Sequence, residues 1–124
     1  METISCVGPY EIVRKSIRAN SLSNGTHLYG DIVCSPAAMA RLLGPAHEGD
    51  EFKVSRLWVL QRGELVFTVY DWKTTYLYDV DLLTPEQFWS LEFDEYLHIG
   101  SKGPATPEDA AEFVVALSTA LAAQ

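Results

Sequence analysis

The stretch Lys53-Val54-Ser55-Arg56-Leu57-Trp58-Val59-Leu60-Gln61-Arg62-Gly63-Glu64-Leu65-Val66-Phe67-Thr68-Val69-Tyr70-Asp71-Trp72 reads as a β-hairpin. Aromatic and β-branched residues suit a pleated, buried surface, and a glycine between two such runs marks a tight reversal. A two-residue turn at Arg62-Gly63 sets Gln61 opposite Glu64, Trp58 opposite Phe67 and Leu60 opposite Leu65, with strands over Lys53–Gln61 and Glu64–Trp72. One face then carries Trp58, Leu60, Leu65, Phe67 and Val69, and the other Leu57, Val59, Val66, Tyr70 and Trp72. Both faces are apolar, whereas a hairpin wetted on one side alternates more cleanly. Helices, other strands, a ligand or a second copy must therefore cover the second face. Because a domain this small has little left to cover both, a symmetric homodimer is expected.

Helix signals flank the hairpin. Ahead of it, Ser35 stands where an N-cap hydroxyl belongs, Pro36 where a missing N–H costs nothing, and Gly44 where a helix stops, which predicts a helix over 36–43. At the end of the chain Thr106 caps, Pro107 opens, and Asp109 stands in the capping-box position. Ala110, Phe113, Val114, Leu117 and Leu121 form one helical stripe, predicting a helix over 107–122 whose Phe113/Leu117 face packs on the hairpin sheet. Thr84-Pro85-Glu86-Gln87-Phe88-Trp89 reads as a short helical turn and Glu95–Ile99 as a strand, with Gly100–Pro104 a loop. Toward the N-terminus, Tyr10–Val13 is a short strand or the start of a helix running to Ile17, Asn20–Gly25 a polar loop, and Tyr29–Val33 a strand. Without alternating βα units the class is α+β, a small antiparallel sheet built on the hairpin, in one domain over 1–124.

Composition sets bounds on function. The chain has 124 residues, 48% of them hydrophobic, which is enough for a core and excludes wholesale disorder. No apolar run approaches the roughly 18 residues of a membrane span, and Met1-Glu2-Thr3 lacks the positive charge of a signal peptide. Cys6 and Cys34 make no disulfide framework or CxxC pair, so a reducing cytoplasm is expected. The net charge of −8 argues against direct nucleic-acid binding, which needs clustered cations. Its bland meaning is solubility. Its sharper one is an acidic surface, at Asp79, Asp81, Glu86, Glu92, Asp94 and Glu95, competing for a nucleic-acid-binding protein.

Two segments carry candidate binding chemistry. In the hairpin register Lys53 lies opposite Trp72, so Lys53, Tyr70, Trp72 and Lys73 form an aromatic plate with cations beside it, extended by Thr74, Tyr76 and Tyr78. Aromatic faces stack bases and lysine meets phosphate as a point charge. The competing assignment buries Tyr70 and Trp72 and pairs Lys53 with Asp71. The second segment is His98-Ile99-Gly100-Ser101-Lys102-Gly103, a glycine-rich stretch before a helix, where Ser101 and Lys102 assist backbone amides on an anion. Its competing assignment is a strand histidine and a glycine fitted to a tight backbone. His27, His47 and His98 fit no metal-ligand spacing, and there is no nucleophile motif, so no metal, cofactor or catalytic residue is assigned.

One further pattern joins these segments. Leu42-Leu43-Gly44-Pro45, Gly49-Asp50-Glu51-Phe52-Lys53-Val54-Ser55, Trp58, Phe67-Thr68-Val69-Tyr70-Asp71-Trp72-Lys73 and Leu97-His98-Ile99-Gly100-Ser101 occur in that order. The order resembles a group of small tailed-bacteriophage proteins with a helix ending near GEP, a GDxYKVxxxW strand, a TIYDxK strand and a WHIGG-like strand end. It covers about residues 36–101 and departs from the pattern at Pro45-Ala46, Leu97 and Ser101. The resemblance implies a phage-encoded, non-structural protein of the host cytoplasm, of the counter-defence kind. Two functions are then open: an inhibitor docking on a host or defence protein, or a sponge for a small nucleotide-type signal. A pocket shared by the two binding segments would favour the sponge.

Overall fold

The computed structural model describes residues 4–50, 53–75 and 77–124; Tyr76 of the expected aromatic plate lies outside them. The chain runs β1 (Cys6–Val7), β2 (Tyr10–Ile12), α1 (Ser16–Ser23), β3 (His27–Cys34), α2 (Pro36–Leu43), β4 (His47–Glu48), β5 (Arg56–Arg62), β6 (Leu65–Tyr70), α3 (Pro85–Phe88), β7 (Glu95–Lys102) and α4 (Pro107–Ala122). The class is α+β: seven strands form one antiparallel sheet in the order β1-β2-β5-β6-β7-β3, with β4 also pairing β5.

The hairpin sits at the centre of this sheet, in a register that differs from expectation. Arg62 pairs with Leu65, Leu60 with Phe67 and Trp58 with Val69. The turn is therefore Gly63-Glu64, and Gly63 takes a positive φ of 58°, as glycine does at the first position of a type II′ turn. Because one strand slides by two residues relative to the other, each side chain keeps its face. The strands are also shorter than expected, so residues 53–55 and 71–72 lie beyond the ladder.

One face of the sheet holds the main core. Phe113 of α4 stacks on Phe67 at 4.6 Å and meets the edge of Tyr10 at 5.0 Å. Trp58 packs edge-on against Trp89 at 5.0 Å and donates its indole N–H to the Gly44 carbonyl. Both expected helices have the expected bounds and caps: Ser35 Oγ accepts from Ala38 N, and Thr106 with Asp109 completes a capping box.

Two expectations are corrected on the other face. Asn20–Ser23 is not loop but the second half of α1, which has no side-chain N-cap. Tertiary packing supplies the stability its composition lacks, since Ala19 and Leu22 seat against Val13, Leu57, Val59 and Val66. The Leu57, Val59 and Val66 part of the hairpin's second face is thus covered by this chain's own helix. Second, β7 continues through Gly100, Ser101 and Lys102, so the glycine-rich anion loop does not exist. Gly100 is a close-approach residue: a Cβ there would collide with Thr68 Oγ1 on β6. Its neighbour β3 likewise extends beyond the expected Tyr29–Val33, with a bulge between Leu28 and Gly30.

Candidate functional site

At the end of the hairpin opposite its turn, Asp71 leaves β6 and turns inward, fully buried. Its Oδ1 accepts from Ser55 N (2.9 Å) and Arg56 N (3.0 Å), and its Oδ2 from the hydroxyls of Ser55 and Thr74. Asp71 is therefore occupied by neutral donors and does not pair with Lys53. By tying the start of β5 to the segment after β6, it aims Trp72 and Lys73 outward.

Lys73 follows with a φ of 58°, the only non-glycine residue with positive φ among the described ones. Its amide donates to the Lys53 carbonyl at 2.6 Å, which brings the two lysines together. A left-handed lysine costs about 1–2 kcal/mol relative to an ordinary backbone, and such strain persists where the surroundings over-determine it. Here the Asp71 anchor and the Lys53 carbonyl impose it.

The resulting surface joins five of the seven expected residues through ring contacts. The Lys53 ammonium lies 5.4 Å and the Lys73 ammonium 5.7 Å from the Trp72 ring centre, and Lys73 is also 5.0 Å from the Tyr78 ring. Tyr70 meets Trp72 edge-on at 6.4 Å and stacks on His98 at 5.7 Å. Trp72 is 38% exposed, so the assignment of this ring to the core fails. The His98 Nδ1 lies 3.0 Å from Asp31 Oδ1, within ion-pair distance but out of line for a hydrogen bond. Burial, reinforced by Asp31, raises the pKa of the Tyr70 phenol, which stays protonated at neutral pH.

Ser101 and Lys102 lie elsewhere. They are three and four residues further along β7 than His98, about 10–13 Å at strand rise. Lys102 is committed to the Leu22 carbonyl at the end of α1. The acidic stretch is likewise partly committed, with Glu92 held by both terminal nitrogens of Arg41 at 3.0 and 3.1 Å. That pairing lowers the Glu92 carboxyl pKa.

Trp72 stands exposed between the two lysines. A cleft of about 730 Å³ lies along α1, and another of about 540 Å³ lies between the end of α2, β4 and the start of α3; neither contains Lys53, Tyr70, Trp72, Lys73 or His98. Instead the plate runs into the loop 77–83, closed by a bridge from Thr75 to Leu83, where Tyr78, Val80, Leu82 and Leu83 are exposed. The sequence reading missed this apolar rim; four exposed large side chains within six residues are its signal.

Neither Lys53 nor Lys73 reaches a carboxylate within ion-pair distance among the described residues, although the chain carries 17 acidic side chains. That makes a positive spot on an acidic protein. Trp58 and Trp89 are buried, so Trp72 is the quenchable indole. With each ion's quenching normalised to that of free tryptophan, iodide is expected to quench its fluorescence more than caesium does at equal ionic strength, and Lys53→Gln with Lys73→Gln should abolish the preference. Equal quenching by both ions in the native protein would show that the surrounding acids cancel the lysines.

No protein-family model matches this chain, and no curated protein sequence matches it. Fold and site together define a class only: a small α+β chain presenting an exposed tryptophan between two lysines. No helix among the described residues is long and apolar enough to cross a membrane.

Proposed function

We propose that this protein acts by binding rather than turnover, as a phage-encoded counter-defence inhibitor that docks on a host or defence protein in the host cytoplasm. The observation that carries the reading is the exposure of Trp72 between Lys53 and Lys73 and its continuation into exposed Tyr78, Val80, Leu82 and Leu83. Buried aromatic anchors ringed by polar groups dominate protein interfaces, and tryptophan and tyrosine are the commonest of them. An enclosed nucleotide site would instead bury most of its ligand in a cleft. The phage origin rests on the ordered motifs between residues 36 and 101, which include Lys53, Tyr70, Trp72, Lys73 and His98. Self-association as a homodimer is part of the reading, on the apolar surface left outside α1 on β3 and β7. The alternative is a sponge for a nucleotide-type signal, for which Trp72 and its two lysines would be the stacking and phosphate contacts.

Native mass spectrometry of the protein purified from infected cells tests this. The expected result is a co-purifying protein retained by the wild type and lost from Lys53→Glu and Lys73→Ala, with melting temperatures nearly unchanged. These are surface changes, normally worth less than about 0.5 kcal/mol of stability. A retained nucleotide would replace the inhibitor with the sponge, and a partner equally retained by both variants would move the contact to the Asp79–Glu95 stretch.

A further inference from the structure

Strand β3 ends the sheet on its side, and among the described residues no strand pairs with its outer edge. The opposite end of the sheet is blunted, since β1 has two residues; β3 has eight. An open edge presents unpaired N–H and C=O groups that another extended strand can satisfy, and natural edges are protected by lysine, proline, a bulge, an inward charge or brevity. The bulge between Leu28 and Gly30 guards the first half of β3, whereas Gly30–Cys34 carries no lysine or proline, and its only charge, Asp31, has its Oδ1 3.0 Å from His98 Nδ1. The adjoining surface is apolar. Val33 is 54% and Tyr96 62% exposed, and the two face each other in the β3–β7 register.

We propose that this edge pairs antiparallel with the same edge of a second copy, about a two-fold axis at Val33, continuing the sheet across the dimer. The inference rests on the self-association proposed above and names its surface. Side-chain chemistry selects the register. With Val33 on the axis, Ile32–Cys34 of the two copies oppose each other, the Val33–Tyr96 pairs meet on one face as a single apolar cluster, and Asp31 falls beside the neutral Ser35, the N-cap of α2 just past the end of β3, of the second copy. With Asp31 on the axis, two carboxylates would face each other, which destabilises a cross-strand pair. With Ile32 on the axis, Asp31 would face Val33 and break the apolar row. Registers centred nearer His27 run into the bulge between Leu28 and Gly30, which reverses the alternation of faces.

Light scattering at tens of micromolar, on the wild type, Val33→Lys and Tyr96→Lys, reads the proposal. The wild type is expected to show twice the monomer mass and both variants the monomer mass, with the circular dichroism spectrum of the fold retained and a melting temperature that, unlike that of the wild type, does not vary with protein concentration. A second measurement uses Val33→Cys in a Cys6→Ser background. Residues opposite each other on antiparallel strands have Cα atoms about 4.5–5.5 Å apart, within disulfide range, so a covalent dimer should form on oxidation. Leu28→Cys, equally exposed on the same strand, should stay monomeric. Cys34 stays silent because it is buried and its thiol pKa is raised to about 11 by burial and by Asp94. A wild-type dimer that survives both lysine substitutions, or that cross-links at 28 and not at 33, overturns this interface and leaves self-association standing. A wild-type monomer overturns both.

Discussion

Asp71→Ala is expected to lower the unfolding free energy by about 3 kcal/mol, read as a drop in urea midpoint. The substitution strands two backbone amides, of Ser55 and Arg56, and the hydroxyls of Ser55 and Thr74 at a fully buried site. Each orphaned buried donor costs about 1–3 kcal/mol, partly offset because a desolvated charge is removed. Asp71→Asn should cost less. Its amide oxygen can still accept from both backbone N–H groups, and hydroxyls can turn to accept from its NH2. The Ser55 hydroxyl is the constraint, since it already accepts from Trp89 Nε1 at 3.0 Å. An alanine variant as stable as the wild type would remove Asp71 as the anchor of the lysine–tryptophan surface.

Phe113→Ala carries the other large effect, about 3–5 kcal/mol, as for aromatic truncations in close-packed cores. Phe113 is fully buried, stacked on Phe67 and edge-on to Tyr10, so its removal opens a cavity bounded by the sheet and α4 together. Val115→Ala, two residues on and 64% exposed, is the control and should change stability by less than about 0.5 kcal/mol. Equal small losses in both variants would mean that α4 does not dock on the sheet.

The parts of this fold legible in the sequence are those with local causes. Ser35-Pro36, Thr84-Pro85 and Thr106-Pro107 each place a cap and a proline where only a helix start uses both, and all three helices begin there. The hairpin was legible as a pattern but not in its register, because a slide of two residues leaves every face unchanged; only the backbone preference of Gly63 separates the two turns. What is set by distant partners was not legible. α1 has a polar, uncapped sequence and forms because Val59 and Val66 lie beneath it. Gly100 looked like loop because the reason for its missing side chain is Thr68, on another strand.

The candidate site divides the same way. Lys53, Tyr70, Trp72 and Lys73 were found together because two strands of one hairpin bring them close. His98 joined them through the β6–β7 pairing with Tyr70. Ser101 and Lys102 do not join this cluster, because their grouping assumes a loop where the strand continues. The competing pairing of Lys53 with Asp71 rests on a carboxylate standing near a lysine in the hairpin pattern, whereas the burial of Asp71 among amides and hydroxyls is a three-dimensional fact.

The position of β3 at the end of the sheet also bears on how the chain is made. Its only sheet partner among the described residues, β7, follows it by about sixty residues. At 5–20 residues per second, the ribosome takes about 3–12 s to deliver that partner. Through that interval Ile32 and Cys34, buried in the finished molecule, have no β7 to pack beside, while β5 and β6 can close across their two-residue turn within microseconds of emerging. During synthesis β3 is thus the strand that waits longest for a sheet partner, which gives nascent-chain chaperones time to act on it.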